Sequence, residues 1–161
     1  MLAVLDTNCF IDAVTPASHE YDAVTRLLAA SATAQVTLMV SRHTFAEILT
    51  PAARDLAASL PCLPHRPIGT WDDQVTTWND LDGTWEDAAW SEAIQREIHA
   101  HAKKGADLRD RGSYLDAILG HANIFVTSDG HLVKPGPASR LAGRFGVRVL
   151  TPSALVRELH L

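Results

Sequence analysis

The chain opens on Leu2-Ala3-Val4-Leu5, an unbroken apolar run that stops on Asp6. So short a run, with no polar alternation, fits a strand buried on both faces, which is the habit of parallel sheets. The same form recurs at residues 36–40, which end at Ser41, and at residues 124–127, which end at Ser128-Asp129. It recurs again at residues 147–150, which lead into Thr151-Pro152-Ser153. Helical patterns lie between these runs. Residues 18–34 place Tyr21, Val24, Leu27 and Leu28 on one face. Ser41 can cap a helix whose apolar face is Phe45, Ile48 and Leu49, and which pauses or kinks near Pro51 before resuming through Leu60. A further helix is expected over residues 110–122, and Ser153 is expected to start a terminal one. Strands alternating with helices predict an α/β fold, a three-layer α/β/α sandwich around a central, mainly parallel sheet. No linker long enough to divide residues 1–161 is present, so a single domain is expected.

Composition narrows the setting. Apolar residues make up 47% of the chain, enough for a packed core. No apolar run approaches a membrane span, and the start lacks the basic region and long apolar stretch of a signal peptide. Cys9 and Cys62 have no metal-ligand spacing, and two free thiols fit a reducing cytoplasm. Net charge is −5, but residues 103–148 carry eight lysines and arginines against four aspartates. A basic region around a few acids suits a phosphate backbone, although an ordinary solvated surface has the same composition.

Residues 61–104 stand apart. Pro61, Pro64 and Pro67 mark a loop. Gly69-Thr70-Trp71-Asp72-Asp73 then recurs as Gly83-Thr84-Trp85-Glu86-Asp87, which reads as two helix starts. Trp71, Trp78 and Trp85 recur every seventh residue and are explained by packing or by a partner surface. Residues 85–104 have a strong helical pattern, with Ala89, Ala93, Ile94 and Ile98 inward and Gly105 ending it.

Ligands collect at the carboxyl ends of strands in a parallel sheet. Three segments deliver an acid there: Asp6 after the first strand, Glu47 on the helix after the second, and Asp129 after the strand at 124–127. Crowded carboxylates repel one another, and hard divalent cations such as Mg²⁺ or Mn²⁺ relieve that repulsion. Leu2-Ala3-Val4-Leu5-Asp6-Thr7-Asn8 resembles the opening of PIN domains, an apolar strand followed by Asp-Thr-Asn or Asp-Thr-Ser. Ser41-Arg42-His43-Thr44-Phe45-Ala46-Glu47 is similar to their second motif, which ends on a glutamate. Ile124-Phe125-Val126-Thr127-Ser128-Asp129 is similar to their last acid-bearing segment. The three matches come in family order, and short bacterial toxin nucleases of the VapC kind are the familiar members. The helical segment at 61–104 is atypical of that family.

The resemblance implies a third acid at the start of the helix before Asp129, where Asp107, Asp110 and Asp116 are available. The strand at 124–128 spans roughly 17 Å at about 3.4 Å per residue. A helix covering the same ground needs about eleven residues at about 1.5 Å each. Counting back from Ala122 reaches the neighbourhood of Asp110, whereas Asp116-Ala117-Ile118 looks locally like the family's Asp-Ala-x-Ile string. Asp110 and Asp116 lie about 240° apart around a helix, so only one of them can face a shared ion. Asp110 is favoured, Asp116 is the alternative, and Asp107 can join from the preceding turn.

The resemblance further implies metal-dependent hydrolysis of RNA phosphodiester bonds by Asp6, Glu47, Asp110 and Asp129, with Mg²⁺ or Mn²⁺ on Asp6, Asp129 and the third acid. Thr7, Asn8, Thr127 and Ser128 are placed to orient those carboxylates. Arg42, Arg109, Arg111, His131 and Lys134 are the candidates to grip the RNA backbone. The role implied is the toxin of a toxin–antitoxin pair, with a small antitoxin protein as partner and a homodimer as a further expectation. A non-catalytic PIN-like module that binds RNA or a protein is the alternative. A haloacid-dehalogenase-type phosphatase also puts an aspartate after its first strand, but wants a second one where this chain has Asn8.

Overall fold

The computed structural model describes residues 1–64, 96, 108–130 and 132–161, and gives no side-chain placement for residues 108–111 and 137. Its elements are β1 (Leu2–Leu5), α1 (Thr7–Ala13), α2 (Tyr21–Ala32), β2 (Thr37–Val40), α3 (Arg42–Glu47) and α4 (Pro51–Ala58). They continue with α5 (Leu108–Leu119), β3 (Ile124–Val126), α6 (Pro135–Phe145), β4 (Arg148–Leu150) and α7 (Pro152–Glu158). Among the described residues the four strands pair in parallel in the order β2-β1-β3-β4. The chain steps outward from β1 to β2, crosses back over β1 to β3, and steps outward again to β4. The direction reverses between β1 and β3, so their carboxyl ends flank the crevice where open α/β sheets bind ligands.

The strand alternation divides the core into two layers. Ala3 and Leu5 of β1, Leu38 and Val40 of β2, and Ile124 and Val126 of β3 point to one face. There they meet Cys9 and Phe10 of α1, Val24 and Leu27 of α2, and Leu155 of α7. Val4, Phe125 and Val149 point to the other face, against Tyr114 and Leu115 of α5 and Leu141 of α6. The expected three-layer sandwich with a parallel sheet is what the chain forms. No helix among the described residues is long and apolar enough to cross a membrane.

Several expected boundaries move, each for a local reason. The helix expected over 18–34 occupies Tyr21–Ala32, with Ser18 held in the preceding turn by its bond to Asp12. The segment after Ser41 pauses before Pro51, as expected, and forms two helices, the second ending at Ala58 short of Leu60. Its backbone turns extended at Ile48, and Pro51 takes the first position of α4, where its missing N–H costs nothing. Helix α5 ends at Leu119 and not at Ala122, because His121 adopts the left-handed conformation (φ 54°) and Ala122 N–H bonds back to the Ala117 carbonyl. Thr151, not Ser153, caps the last helix, accepting from the Ala154 N–H at 3.1 Å. The helical segment expected at 85–104, the paired helix starts and the recurring tryptophans lie outside the described residues.

Tyr114 shows how polar atoms are accommodated in the second layer. Its ring is fully buried edge-on to Phe125 and Phe145, and its hydroxyl donates to the Val147 carbonyl at 2.9 Å. Burial pushes the phenol above its ordinary range, so it stays a donor at any ordinary pH. Tyr114→Phe leaves that carbonyl unsatisfied and is expected to cost about 1 kcal/mol in urea unfolding with an unchanged m-value.

Candidate functional site at the carboxyl edge of the sheet

The register brings four residues to the same level. Leu5 pairs with Val40 and Val126, and Val126 with Leu150. The first residues past the edge are therefore Ser41, Asp6, Thr127 and Thr151, all polar. Asp6, Ser41 and Thr151 each cap the helix that follows. The side chain of Asp6 accepts from Thr7 N–H, and that of Ser41 from Thr44 N–H at 3.0 Å. The edge is thus a row of helix N-termini, whose unpaired N–H groups favour negative charge.

Asp6 is the centre of the arrangement and is 1% exposed. Its Oδ1 accepts from Thr7 N–H at 2.8 Å, and its Oδ2 from the Thr127 hydroxyl at 2.7 Å. Each threonine reaches a second acid. The Thr7 hydroxyl donates to Glu47 Oε2 at 2.7 Å, and Thr127 Oγ1 accepts from Asp129 N–H at 3.0 Å. Thr7 therefore ties Asp6 to Glu47, and Thr127 ties Asp6 to the backbone of Asp129. Glu47 sits half-buried at the last position of α3, and Asp129 half-buried just past β3.

These neighbours shape the charge of Asp6. Burial raises its pKa from 3.8 to about 6, the hydrogen bonds from Thr127 and Thr7 oppose the rise, and the negative charges of Glu47 and Asp129 add to it. Both of the other acids expected at this edge are thus close enough to be felt by Asp6. Among the described residues no cation forms an ion pair with Asp6 or Glu47.

The remaining candidates divide by placement. Asp110 lies in the first turn of α5 by its backbone, the position favoured from strand length. Asp107 and His131, and the side chains of Asp110, Arg109 and Arg111, lie outside the described residues. Asp116, the alternative third acid, is buried farther along α5, and its Oδ2 meets His43 Nδ1 of α3 at 2.8 Å. Beside that pair, the Thr44 hydroxyl bonds to Ser113 at 2.9 Å and to the Leu5 carbonyl, which moors α5 to the edge of the sheet. Asn8 is half-buried in the first turn of α1. Arg42 is exposed at the start of α3, and Lys134 is exposed just before α6. Cys9 is fully buried, donates to the Val126 carbonyl at 3.2 Å, and has a thiol pushed well above its ordinary pKa by burial, which rules it out as a nucleophile.

One acid escaped the sequence reading. Asp12 accepts from the Ser128 hydroxyl at 2.7 Å and from the Ser18 hydroxyl at 2.6 Å. Ser128 thus orients a carboxylate, but the carboxylate is that of Asp12. The only local signal was an acid inside the apolar stretch Cys9-Phe10-Ile11-Asp12-Ala13-Val14.

The donor chemistry fits a hard divalent cation, since carboxylates that repel one another in a buried place are stabilised by positive charge. Asp6 keeps lone pairs beyond the two hydrogen bonds it accepts, and Asp129 is the nearest acid along β3 that could join it on such an ion. Among the described residues no three of His, Cys, Asp and Glu are grouped to hold a metal. No protein-family model matches the chain, and no curated protein matches it.

Proposed function

We propose that this chain is a metal-dependent endoribonuclease of the PIN kind, hydrolysing RNA phosphodiester bonds with Mg²⁺ or Mn²⁺. The observation that carries the reading is the placement of Asp6 at the β1/β3 reversal of the sheet, with Glu47 tied to it through Thr7 and Asp129 through Thr127. An ion at this edge supplies the positive charge that activates water and offsets charge on the leaving oxygen. Asp6 and Asp129 would hold it, with Asp110 as the third acid. Thr7 and Thr127 fix the two oxygens of Asp6, so the carboxylate does not reorient during turnover. Thr7 also fixes Oε2 of Glu47, so Glu47 would be held in place to orient a water beside the ion. Arg42 and Lys134 would engage the RNA backbone, together with Arg109, Arg111 and His131. The role that fits is the toxin of a toxin–antitoxin pair in the cytoplasm, held inactive by a small antitoxin protein.

A phosphatase that attacks phosphorus through Asp6 fits less well, because Asn8 stands where that reaction wants a second aspartate. A non-catalytic RNA- or protein-binding module is the second reading, favoured by the lack of a three-residue metal group among the described residues. Cleavage of a panel of single-stranded RNAs with Mn²⁺ at pH 7.5 separates the two. The wild type is expected to cut and to stop on chelation, and Glu47→Gln is expected to cut about 10²-fold more slowly. A wild type that binds RNA but cuts none of the panel with any divalent metal establishes the binding module instead.

A further inference from the structure

The turn that carries Asp129 is held from both ends of α1. Thr127 donates to Asp6, the residue that caps the start of this helix, and Ser128 donates to Asp12 near its end. The Thr127 N–H also donates to the Leu150 carbonyl at 3.0 Å, continuing the ladder with β4. Residues 127 and 128 are therefore fixed by three bonds, two to the ends of α1 and one to β4, and Asp129 is the next residue along. Asp12 is anchored in its turn, because its other oxygen accepts from Ser18 in the turn before α2. A carboxylate with both oxygens engaged is a rigid post, and charge-assisted hydroxyl bonds are among the stronger hydrogen bonds.

We propose that Asp12 is a positioning residue that, through Ser128, sets where the Asp129 carboxylate stands relative to Asp6. This rests on the ribonuclease reading, in which Asp6 and Asp129 share an ion. Without the Ser128–Asp12 bond the backbone at Ser128 can rotate, and rotation there swings Asp129 away from its partner. The Thr127 bonds lie before that rotation and do not prevent it. The bond from Asp129 N–H to Thr127 Oγ1, and those from Leu132 and Val133 N–H to the Asp129 carbonyl, hold the backbone of the turn but do not replace the tie to α1.

The test is Mn²⁺ binding by calorimetry alongside RNA cleavage, both at a temperature where every variant is folded. Asp12→Ala and Ser128→Ala are each expected to weaken Mn²⁺ binding about tenfold, the scale typical of lost outer partners of metal ligands, and to slow cleavage in proportion. The double variant is expected to be no worse than either single one, because both remove the same bond. Asp12→Asn is expected to recover most of the loss, since its amide can accept from one hydroxyl and donate to the other. Amide exchange at Asp129 should quicken in Asp12→Ala and Ser128→Ala but not in Asp12→Asn. If Asp12→Ala only lowers the melting temperature, with Mn²⁺ affinity and cleavage unchanged beside an active wild type, the positioning role is overturned and Asp12 is a structural anchor. If the wild type itself neither binds Mn²⁺ nor cuts, the ribonuclease reading falls first and this role falls with it.

Discussion

Asp6→Asn is expected to abolish RNA cleavage and, in metal-free protein at pH 7.5, to raise stability by about 1–3 kcal/mol. Burial holds the folded carboxyl at about 6, above its ordinary 3.8. Between those values the folded state keeps a proton that the unfolded chain has lost. The contribution of Asp6 is therefore fully present below about pH 4 and is lost as pH rises through about 6. At neutral pH the charged form costs the fold up to about 3 kcal/mol, and asparagine removes that cost. Asparagine caps a helix about as well as aspartate, so loss of the cap does not offset that gain. Urea unfolding from pH 4 to 8 checks this: the wild type should lose stability across the window, and the variant should be nearly flat. Added Mn²⁺ should restore wild-type stability and leave Asp6→Asn unmoved, because only a state that binds the ion is stabilised by it.

Gly112→Ala is the second change expected to have a large effect. A Cβ at this buried position in α5 would lie 2.5 Å from Cδ2 and 2.7 Å from Cγ of the His43 ring. The ring cannot retreat without breaking its 2.8 Å bond to Asp116, whose carboxylate is buried. Alanine gains about 1 kcal/mol over glycine inside a helix. Overpacking and a strained buried hydrogen bond together cost about 2–4 kcal/mol. A net loss of about 2 kcal/mol is expected, with a matching loss of activity, because α5 carries Asp110 in its first turn. In a double-mutant cycle with His43→Ala the penalty for Gly112→Ala should largely vanish, since the clashing ring is gone. Equal penalties in both backgrounds would place the strain elsewhere.

What could be read from the sequence followed from how local each signal is. An apolar run that ends on an acid is complete within a few residues, so β1 with Asp6 and β3 with Asp129 were legible, and their order implied the parallel sheet. The choice of Asp110 rested on a longer strand and a helix ending at Ala122, whereas β3 covers Ile124–Val126 and α5 ends at Leu119; Asp110 lies on α5 by its backbone. Helix α1 was not legible, because it starts at Thr7, immediately past the strand, on a residue already explained as part of the acid motif. Helix α6 was hidden by Pro135-Gly136-Pro137, which looks like a loop but starts the helix with proline in its first turn. The bonds from His43 to Asp116 and from Asp12 to Ser128 join residues 73 and 116 positions apart, and only the folded chain brings them together.

The central claim is that Asp6 and Asp129 share a divalent cation at the carboxyl edge of the sheet. A crystal grown with Mn²⁺ and examined by its anomalous scattering tests it most directly. The expected result is a peak held by the carboxylates of Asp6 and Asp129, with Asp110 turned toward it and Asp116 still on His43. A crystal that takes up Mn²⁺ elsewhere, or not at all, while Asp6 stays enclosed between Thr7 and Thr127 would contradict it.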